Sequence, residues 1–276
     1  MKADLHVHST ASDGTLRPSE LVSLALRRGV DVLAIADHDS VSGLAEAIPA
    51  AQEAGLTLIP AVELSAASDG YDVHILAYHV DPRSSVLLDQ LRILRLEREQ
   101  RAEEIVSALR SAGISITMDS VLGFSDGGSV GRSHIARALV SLGHAESIPA
   151  AFEGFIGRGC DFYRAKPSRT PEQVIHSILE LGAVPVVAHP GVTSADELIL
   201  PMVAAGLMGI EAYHADHTPQ QRATYARMAD ELGLIATGGT DYHGPLAHNP
   251  ELGSVDVPEA SVMTLPSSGL CARGPW

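Results

Sequence analysis

Aromatic residues are scarce in this chain. Phe, Trp and Tyr make up 4% of 276 residues, although 45% are hydrophobic overall. A core with so few large rings has to be built from Ala, Val, Leu and Ile, the usual material of parallel strands covered by helices. Cysteine is scarcer still: Cys160 and Cys271 stand alone and far apart, which excludes a disulfide framework and a thiolate metal site. Positive charge is also short. Nineteen Lys and Arg against 34 Asp and Glu leave a formal charge of −15, which argues against a broad basic surface for duplex nucleic acid. A small phosphorylated ligand or the end of a strand stays compatible, because bound cations can invert the local field. No apolar run reaches membrane-spanning length and the chain opens directly on a strand-like segment, so the expected setting is a reducing cytoplasm with no membrane partner. There is no G-x-G-x-x-G and no P-loop, so a nucleotide-binding fold is unsupported.

What the chain does have is thirteen histidines. In Asp4-Leu5-His6-Val7-His8-Ser9, side chains on a strand repeat every second residue, so His6 and His8 share a face. Two imidazoles at a strand end make half of a metal site. Asp13, Asp37-His38-Asp39, Glu63, His74, His189-Pro190 and Asp241-Tyr242-His243 follow, and nearly all fall at or just after an expected strand end. His74 is placed inside a strand. Six histidines and three carboxylates (His6, His8, Asp13, His38, Glu63, His74, His189, Asp241 and His243) then converge on one rim. One divalent ion needs four to six ligands, so nine imply two or three ions. Mixed imidazole and carboxylate ligands suit Mn, Fe and Zn alike. His79, His144, His176, His214, His217 and His248 are claimed by no motif, since most histidines are not ligands; His214 and His217, near Glu211, are the hardest to set aside.

The spacing predicts strand-then-helix repeats: a helix over 20–28 stopped by Gly29, a strand at 32–36, a helix over 42–54 closed by Gly55, a strand at 56–62 delivering Glu63, and one at 71–80. The rhythm breaks at a long charged helix over 82–113 and shorter helices at 133–142 and 148–156. It resumes with a helix at 171–181, a strand at 184–188, a helix at 195–205, a strand near 209–212, a helix at 220–232 and a strand at 234–237. About seven strands imply an α/β fold of the distorted (β/α)7 barrel kind. The expected organisation is a barrel from 1–81 and 169–256, a helical insertion over 82–168, and a tail over 257–276.

The ordered motifs resemble the polymerase and histidinol phosphatase (PHP) superfamily of metal-dependent phosphoesterases. They are Asp4 to Ser9, Asp37-His38-Asp39, Val62-Glu63, Ala188-His189-Pro190 and Gly239-Thr240-Asp241-Tyr242-His243. Ser12-Asp13-Gly14-Thr15 looks like the stand-alone members, which include nucleoside 3′,5′-bisphosphate phosphatases and 5′→3′ exoribonucleases. Related members carry histidine where Asp13 stands, so metal preference does not transfer. The resemblance implies a PHP-type barrel with a trinuclear site. His6, His8, Glu63 and Asp241 would hold one ion. Glu63 would bridge to a second completed by His74 and His189. Asp13, His38 and His243, with help from His8, would hold a third. No side chain is the nucleophile in this scheme; a metal-held hydroxide is.

Arg132-Ser133-His134, at an expected helix start, matches a phosphate-contacting segment of that subgroup, and a helix N-terminus beside an arginine fork favours an anion. Arg158, Arg164, Lys166 and Arg169 form a basic cluster. The expected substrate-binding residues are therefore Arg132, His134, Arg158 and Lys166, with the insertion as a lid. The expected function is hydrolysis of a phosphate ester on a small nucleotide or the 5′ end of short single-stranded RNA. The alternatives are a histidinol-phosphate phosphatase, an amidohydrolase, and a non-catalytic metal-binding protein. Against the amidohydrolase stand Asp13, the Asp37-His38-Asp39 motif and the lack of a mid-chain metal-bridging lysine.

Overall fold

The structure, a computed structural model, describes residues 1–68, 70–125, 127–165, 169–245 and 250–265. In chain order the elements are β1 (Ala3–Val7), α1 (Pro18–Arg27), β2 (Val32–Ile35), α2 (Leu44–Ala54), β3 (Thr57–Ser68) and β4 (Tyr71–Tyr78). Four helices follow: α3 (Ser85–Ser111), α4 (Met118–Leu122), α5 (Arg132–Ser141) and α6 (Ile148–Ala151), the last running into a π-helical turn at Phe152–Ile156. Then come α7 (Pro171–Glu180), β5 (Val184–Val187), α8 (Pro190–Thr193), α9 (Ile199–Ala204), β6 (Gly209–His214), α10 (Pro219–Leu232), β7 (Ile235–Gly239) and α11 (Glu259–Met263). Among the described residues no helix is long and apolar enough to cross a membrane.

The seven strands lie side by side in sequence order. β1, β2 and β3 are parallel, as are β5, β6 and β7, while β4 runs antiparallel to both of its neighbours. The sheet curls until the segment after β7 meets β1: Asp241 N–H donates to His6 O at 2.8 Å and His8 N–H to Tyr242 O at 2.9 Å. This is the distorted α/β barrel of seven strands. Ala34, Ala36, Ile59, Ala61, Leu76, Tyr78, Val184 and Val186 fill its interior. Their neighbours Leu33, Ile35, Val62, Leu64, Ile75 and Val187 face the surrounding helices, as the two-residue period of a strand requires. The helices between β4 and β5 have an apolar cluster of their own, with Ile105, Leu109, Ile135, Leu139 and Ile156 fully buried in it.

Two expectations about local structure are corrected. β3 does not end at Glu63 but continues to Ser68, and it forms a hairpin with β4 in which Glu63 faces Leu76 and Ser65 faces His74. An antiparallel partner needs no crossover helix, so Glu63 and His74 sit inside strands, where Leu64 and Ala66 hold the outer face to the core. The helix expected from Ala195 is broken: a 3₁₀ turn at Asp196–Leu198 precedes α9, whose Pro201 is tolerated only in a first turn.

Two bulges aim side chains into the barrel mouth. Along β1 the register steps from Asp4 opposite Leu33 to Val7 opposite Ile35, so three residues answer two. Leu5 therefore packs inside and Val7 outside, which strict alternation forbids, and His6 and His8 turn inward. Asp4 does not share their face; it accepts Thr240 N–H, the Thr240 hydroxyl and Gly253 N–H, and so clamps the barrel seam. On β6, Glu211 is opposite Thr237 while Tyr213 is opposite Gly238, which brings both Glu211 and His214 inside. Bulges at barrel rims re-aim side chains in this way.

The seam leaves no room at Gly239. A Cβ there would lie 2.5 Å from His6 Cβ and 2.6 Å from His6 N. Gly239→Ala is expected to cost about 1–3 kcal/mol by overpacking and to displace His6. A thermal melt and metal analysis of the same preparation check this; an unchanged Tm with full metal content contradicts it.

Candidate metal centre

Glu63 is the hub. Its Oε2 lies 2.7 Å from His38 Nδ1 and 3.4 Å from both His6 Nε2 and His8 Nε2. Its Oε1 lies 2.8 Å from His74 Nδ1 and 3.1 Å from His189 Nε2. Asp241 Oδ1 sits 2.9 Å from His8 Nε2 and 3.5 Å from His6 Nε2. Asp13 approaches His243 Nε2 to 3.1 Å and lies 3.9 Å from His38 Nε2 and from His8 Nδ1. All nine residues nominated from the sequence thus meet at the C-terminal mouth of the parallel strands. Their ligand atoms fall into overlapping groups: His8, Asp13, His38 and His243; His6, His8 and Asp241; His38, Glu63 and His74. His38 stands between two of these, with one nitrogen toward Asp13 and the other toward Glu63. Several positions are held at a cost in backbone strain, for His189 at φ +27° and Asp241 at φ +51° are left-handed without being glycine.

The donor set fits divalent cations. His6 Nε2 and His8 Nε2 are 3.1 Å apart, a separation at which both cannot point hydrogens at each other. Asp13 Oδ1, His38 Nδ1 and Glu63 Oε2 are buried and make no hydrogen bond of sound geometry. Lone pairs of imidazole and carboxylate groups converging on shared volume are what a cluster of such ions needs.

Groups behind the ligands hold them in place. Glu211 accepts from His6 Nδ1 at 3.0 Å and from His189 N–H at 2.8 Å, which turns His6 Nε2 toward the centre. Asp37 accepts the Ser12 hydroxyl at 2.6 Å, and that oxygen lies 3.4 Å from His8 Nδ1; Asp37 therefore acts on His8 through Ser12. Asp39 accepts Ser65 N–H and its hydroxyl and pairs with Arg98, which ties the end of β2 to β3 and α3.

Burial opposes every charge here, yet for Glu63, Asp13 and Asp241 attraction to the surrounding imidazoles outweighs it. His38, His74 and His6 hold Glu63 well below the carboxylate range; His243 and His38 do so for Asp13, and His243 and His6 for Asp241. Asp13 and Asp241 raise His243 to about 10, while burial together with His243 and His38 lowers His8 to about 4. A histidine raised on folding contributes stability that is complete below its unfolded pKa and lost as pH rises through the folded one. Depressed carboxylates contribute above their unfolded pKa and lose that only in acid. The metal-stripped protein is therefore expected to lose Tm between pH 6.5 and about 10, whereas metal-loaded protein, whose ligands carry no protons, holds it. A flat profile for the stripped protein contradicts this.

A cavity of about 250 Å³ opens beside the centre, with His38, His74, Asp241 and His243 on one wall and Arg98, Arg101 and Arg132 on the other. Arg132, at the start of α5, donates to Asp72 Oδ2 at 2.7 Å. Arg101 is buried with Nη2 making no hydrogen bond and lies 3.6 Å from the same carboxylate. Burial and the neighbouring Arg132 lower its pKa to about 10. The other substrate-binding expectations fare differently. His134 is off the cavity wall: its Nδ1 accepts Gly131 N–H at 3.0 Å and its Nε2 faces Ser12 O at 3.1 Å, so it fastens α5 to the loop after β1. Arg158 lies 4.6 Å over the Tyr71 ring, exposed and away from that wall. Lys166 falls outside the described residues.

Sequence reasoning missed Arg98 and Arg101, and it set aside His214 and the neighbouring Glu211 because no motif claimed them. The signal for the arginines was present, because 98 and 101 continue the apolar stripe of Leu91, Leu94 and Ile105 on α3, where a solvated charge has no place.

The PHP domain profile matches residues 4–144. The chain belongs to the PHP domain family. Full-length relatives agree with this. A 5′-3′ exoribonuclease of Haemophilus influenzae is 39% identical, over 88% of this chain and 90% of its own. A 3′,5′-nucleoside bisphosphate phosphatase of Chromobacterium violaceum is 34% identical, over 88% and 87%. A solved structure from Bifidobacterium adolescentis, titled as a metal-dependent phosphoesterase, superposes with a TM-score of 0.88 at 33% identity, over 99% of this chain and 96% of that one. The clustered imidazoles and carboxylates are this PHP domain's candidates for holding divalent metal ions.

Proposed function

We propose that this PHP domain hydrolyses a terminal phosphate ester on a small substrate that carries a second anionic group: a nucleoside 3′,5′-bisphosphate, or the 5′ end of a short RNA. One observation carries the reading. A nine-residue metal centre faces three arginines across a cavity of about 250 Å³, a space for one nucleotide and not for a duplex. The relatives named as bisphosphate phosphatase and exoribonuclease support it.

His6, His8, Asp13, His38, Glu63, His74, His189, Asp241 and His243 would hold two or three divalent ions. Such ions lower the pKa of coordinated water to about 7 and neutralise charge developing on phosphoryl oxygens. The chain's own part is positional. Glu63 spans two groups of ligands, Glu211 and Asp37 set ring orientations, and Asp13, Glu63 and Asp241 return three negative charges, so that three divalent ions leave the centre positive. The scissile phosphate is drawn to that wall while Arg132 and Arg101 take the other anion. The helical segment 82–168, which supplies all three arginines, serves as the lid. Among the described residues no lysine bridges in the amidohydrolase manner: of the chain's two lysines, Lys2 donates to Arg28 O on the surface and Lys166 lies outside them.

The test is a panel after reconstitution with Mn, Fe or Zn: adenosine 3′,5′-bisphosphate, AMP, histidinol phosphate, short 5′-phosphorylated RNA and an N-acyl amide. Preference for the bisphosphate or the RNA supports the proposal. Preference for histidinol phosphate or the amide rejects it.

A further inference from the structure

His214 is a buried imidazole that nothing above uses. It ends β6, just past the bulge, with its backbone oxygen held by Arg222 Nε at 3.0 Å. Its Nδ1 accepts Asp216 N–H at 3.1 Å, so the neutral ring carries its hydrogen on Nε2. That atom is sealed from solvent and makes no hydrogen bond. It faces Asp241 Oδ2 at 3.9 Å.

The ligand atoms of His6, Glu211 and His214 lie close enough together to suggest one more cation site. The hydrogens argue against it. His6 Nδ1 is turned to Glu211, and His214 Nε2 holds a hydrogen because its other nitrogen is taken. The N–H of His6 is taken by Glu211 within the same trio, and the N–H on His214 Nε2 repels a cation and is free to meet a further carboxylate.

We propose that His214 is a positioning residue for Asp241: its Nε2–H holds Oδ2, so that Oδ1 alone is offered to the cations. Asp241 needs such a brace. Its Oδ1 is the oxygen among His8, His6 and His243, and its backbone is strained at φ +51°. In the structure the two atoms stand 3.9 Å apart, about 1 Å longer than a hydrogen bond; in the proposed arrangement the carboxylate turns to close that distance. Because Oδ1 and Oδ2 share one plane, pinning the second oxygen fixes the direction of the first. This rests on the metal-dependent reading above.

Three variants test it: His214→Phe keeps a ring without a donor, His214→Asn shortens the donor out of reach, and His214→Gln restores an N–H at nearly the same distance. The main readout is Mn affinity by competition with a chelator, with Tm and the split between kcat and KM at saturating metal alongside. Phe and Asn are expected to weaken Mn binding roughly 10–100-fold, the range for partners that orient a ligand. Gln should stay within about threefold, and KM should be unchanged throughout. Affinity unmoved in Phe and Asn overturns the proposal, as does an equal loss in all three variants tracking Tm. The outcomes separate from the reading it rests on: wild-type protein that binds Mn but turns over none of the phosphate esters sinks that reading, whereas unmoved affinity sinks only this one.

Discussion

Glu63→Gln is expected to lose at least a thousandfold in kcat/KM, about 4 kcal/mol of transition-state stabilisation, and to be purified with less metal than the wild type. The side chain keeps its shape, so the loss comes from one charge and one acceptor. Both carboxylate oxygens of Glu63 are in use: Oε2 toward His38, His6 and His8, Oε1 toward His74 and His189. An amide must turn its NH2 toward one of these sets, and hydrogens aimed into a cation site repel the cation. Removing one member of a buried charged cluster also leaves the others uncompensated, which costs several kcal/mol. Glu63→Asp should fall between, since a side chain one methylene shorter cannot reach both sets. The measurements are steady-state kinetics and metal stoichiometry on the same preparation. A glutamine variant with wild-type metal content and kcat/KM within tenfold would remove Glu63 from the centre of the scheme.

Why Glu63 could be found in the sequence but not placed shows how far the residues alone reach. Its identity is legible, since a lone carboxylate after Ala61-Val62 interrupts an apolar strand. Its position within a strand is not, because continuation to Ser68 depends on pairing with β4, a contact that no local pattern encodes. The same division runs through the barrel. Helix stops at Gly29 and Gly55, both left-handed at φ +68° and +69°, are local chemistry and were readable. The two bulges were not, since each is a mismatch of count between neighbouring strands. Without the bulge on β6, His214 would face the helices, so its place beside Asp241 could not be derived. His134 misleads for the opposite reason. It stands in a phosphate-type motif, but the loop after β1 reaches it first through Ser12 O.

Arg132→Ala should cut kcat/KM for adenosine 3′,5′-bisphosphate roughly a hundredfold, while a phosphate ester without a second anion loses only a few-fold. The size follows from charge-assisted hydrogen bonds worth about 1.5–3 kcal/mol. The selectivity follows from the wall's charge. Asp72 is the carboxylate shared by Arg132 at 2.7 Å and Arg101 at 3.6 Å, so the pair stays net positive before substrate arrives. The Tyr163 ring lies 5.5 Å from one guanidinium and 5.6 Å from the other and keeps both planes in place for an anion. Arg101→Met, which keeps the buried stem but removes the charge, should give the same pattern with a smaller loss, because Arg132, the more exposed of the two on the cavity wall, remains to take the anion. Metal content should stay at the wild-type level in both, since neither residue approaches the ligand groups. Equal losses on substrates with one and two phosphates would mean that the arginines support the fold of the lid and do not read the second anion. A loss confined to the two-phosphate substrate would assign them to it.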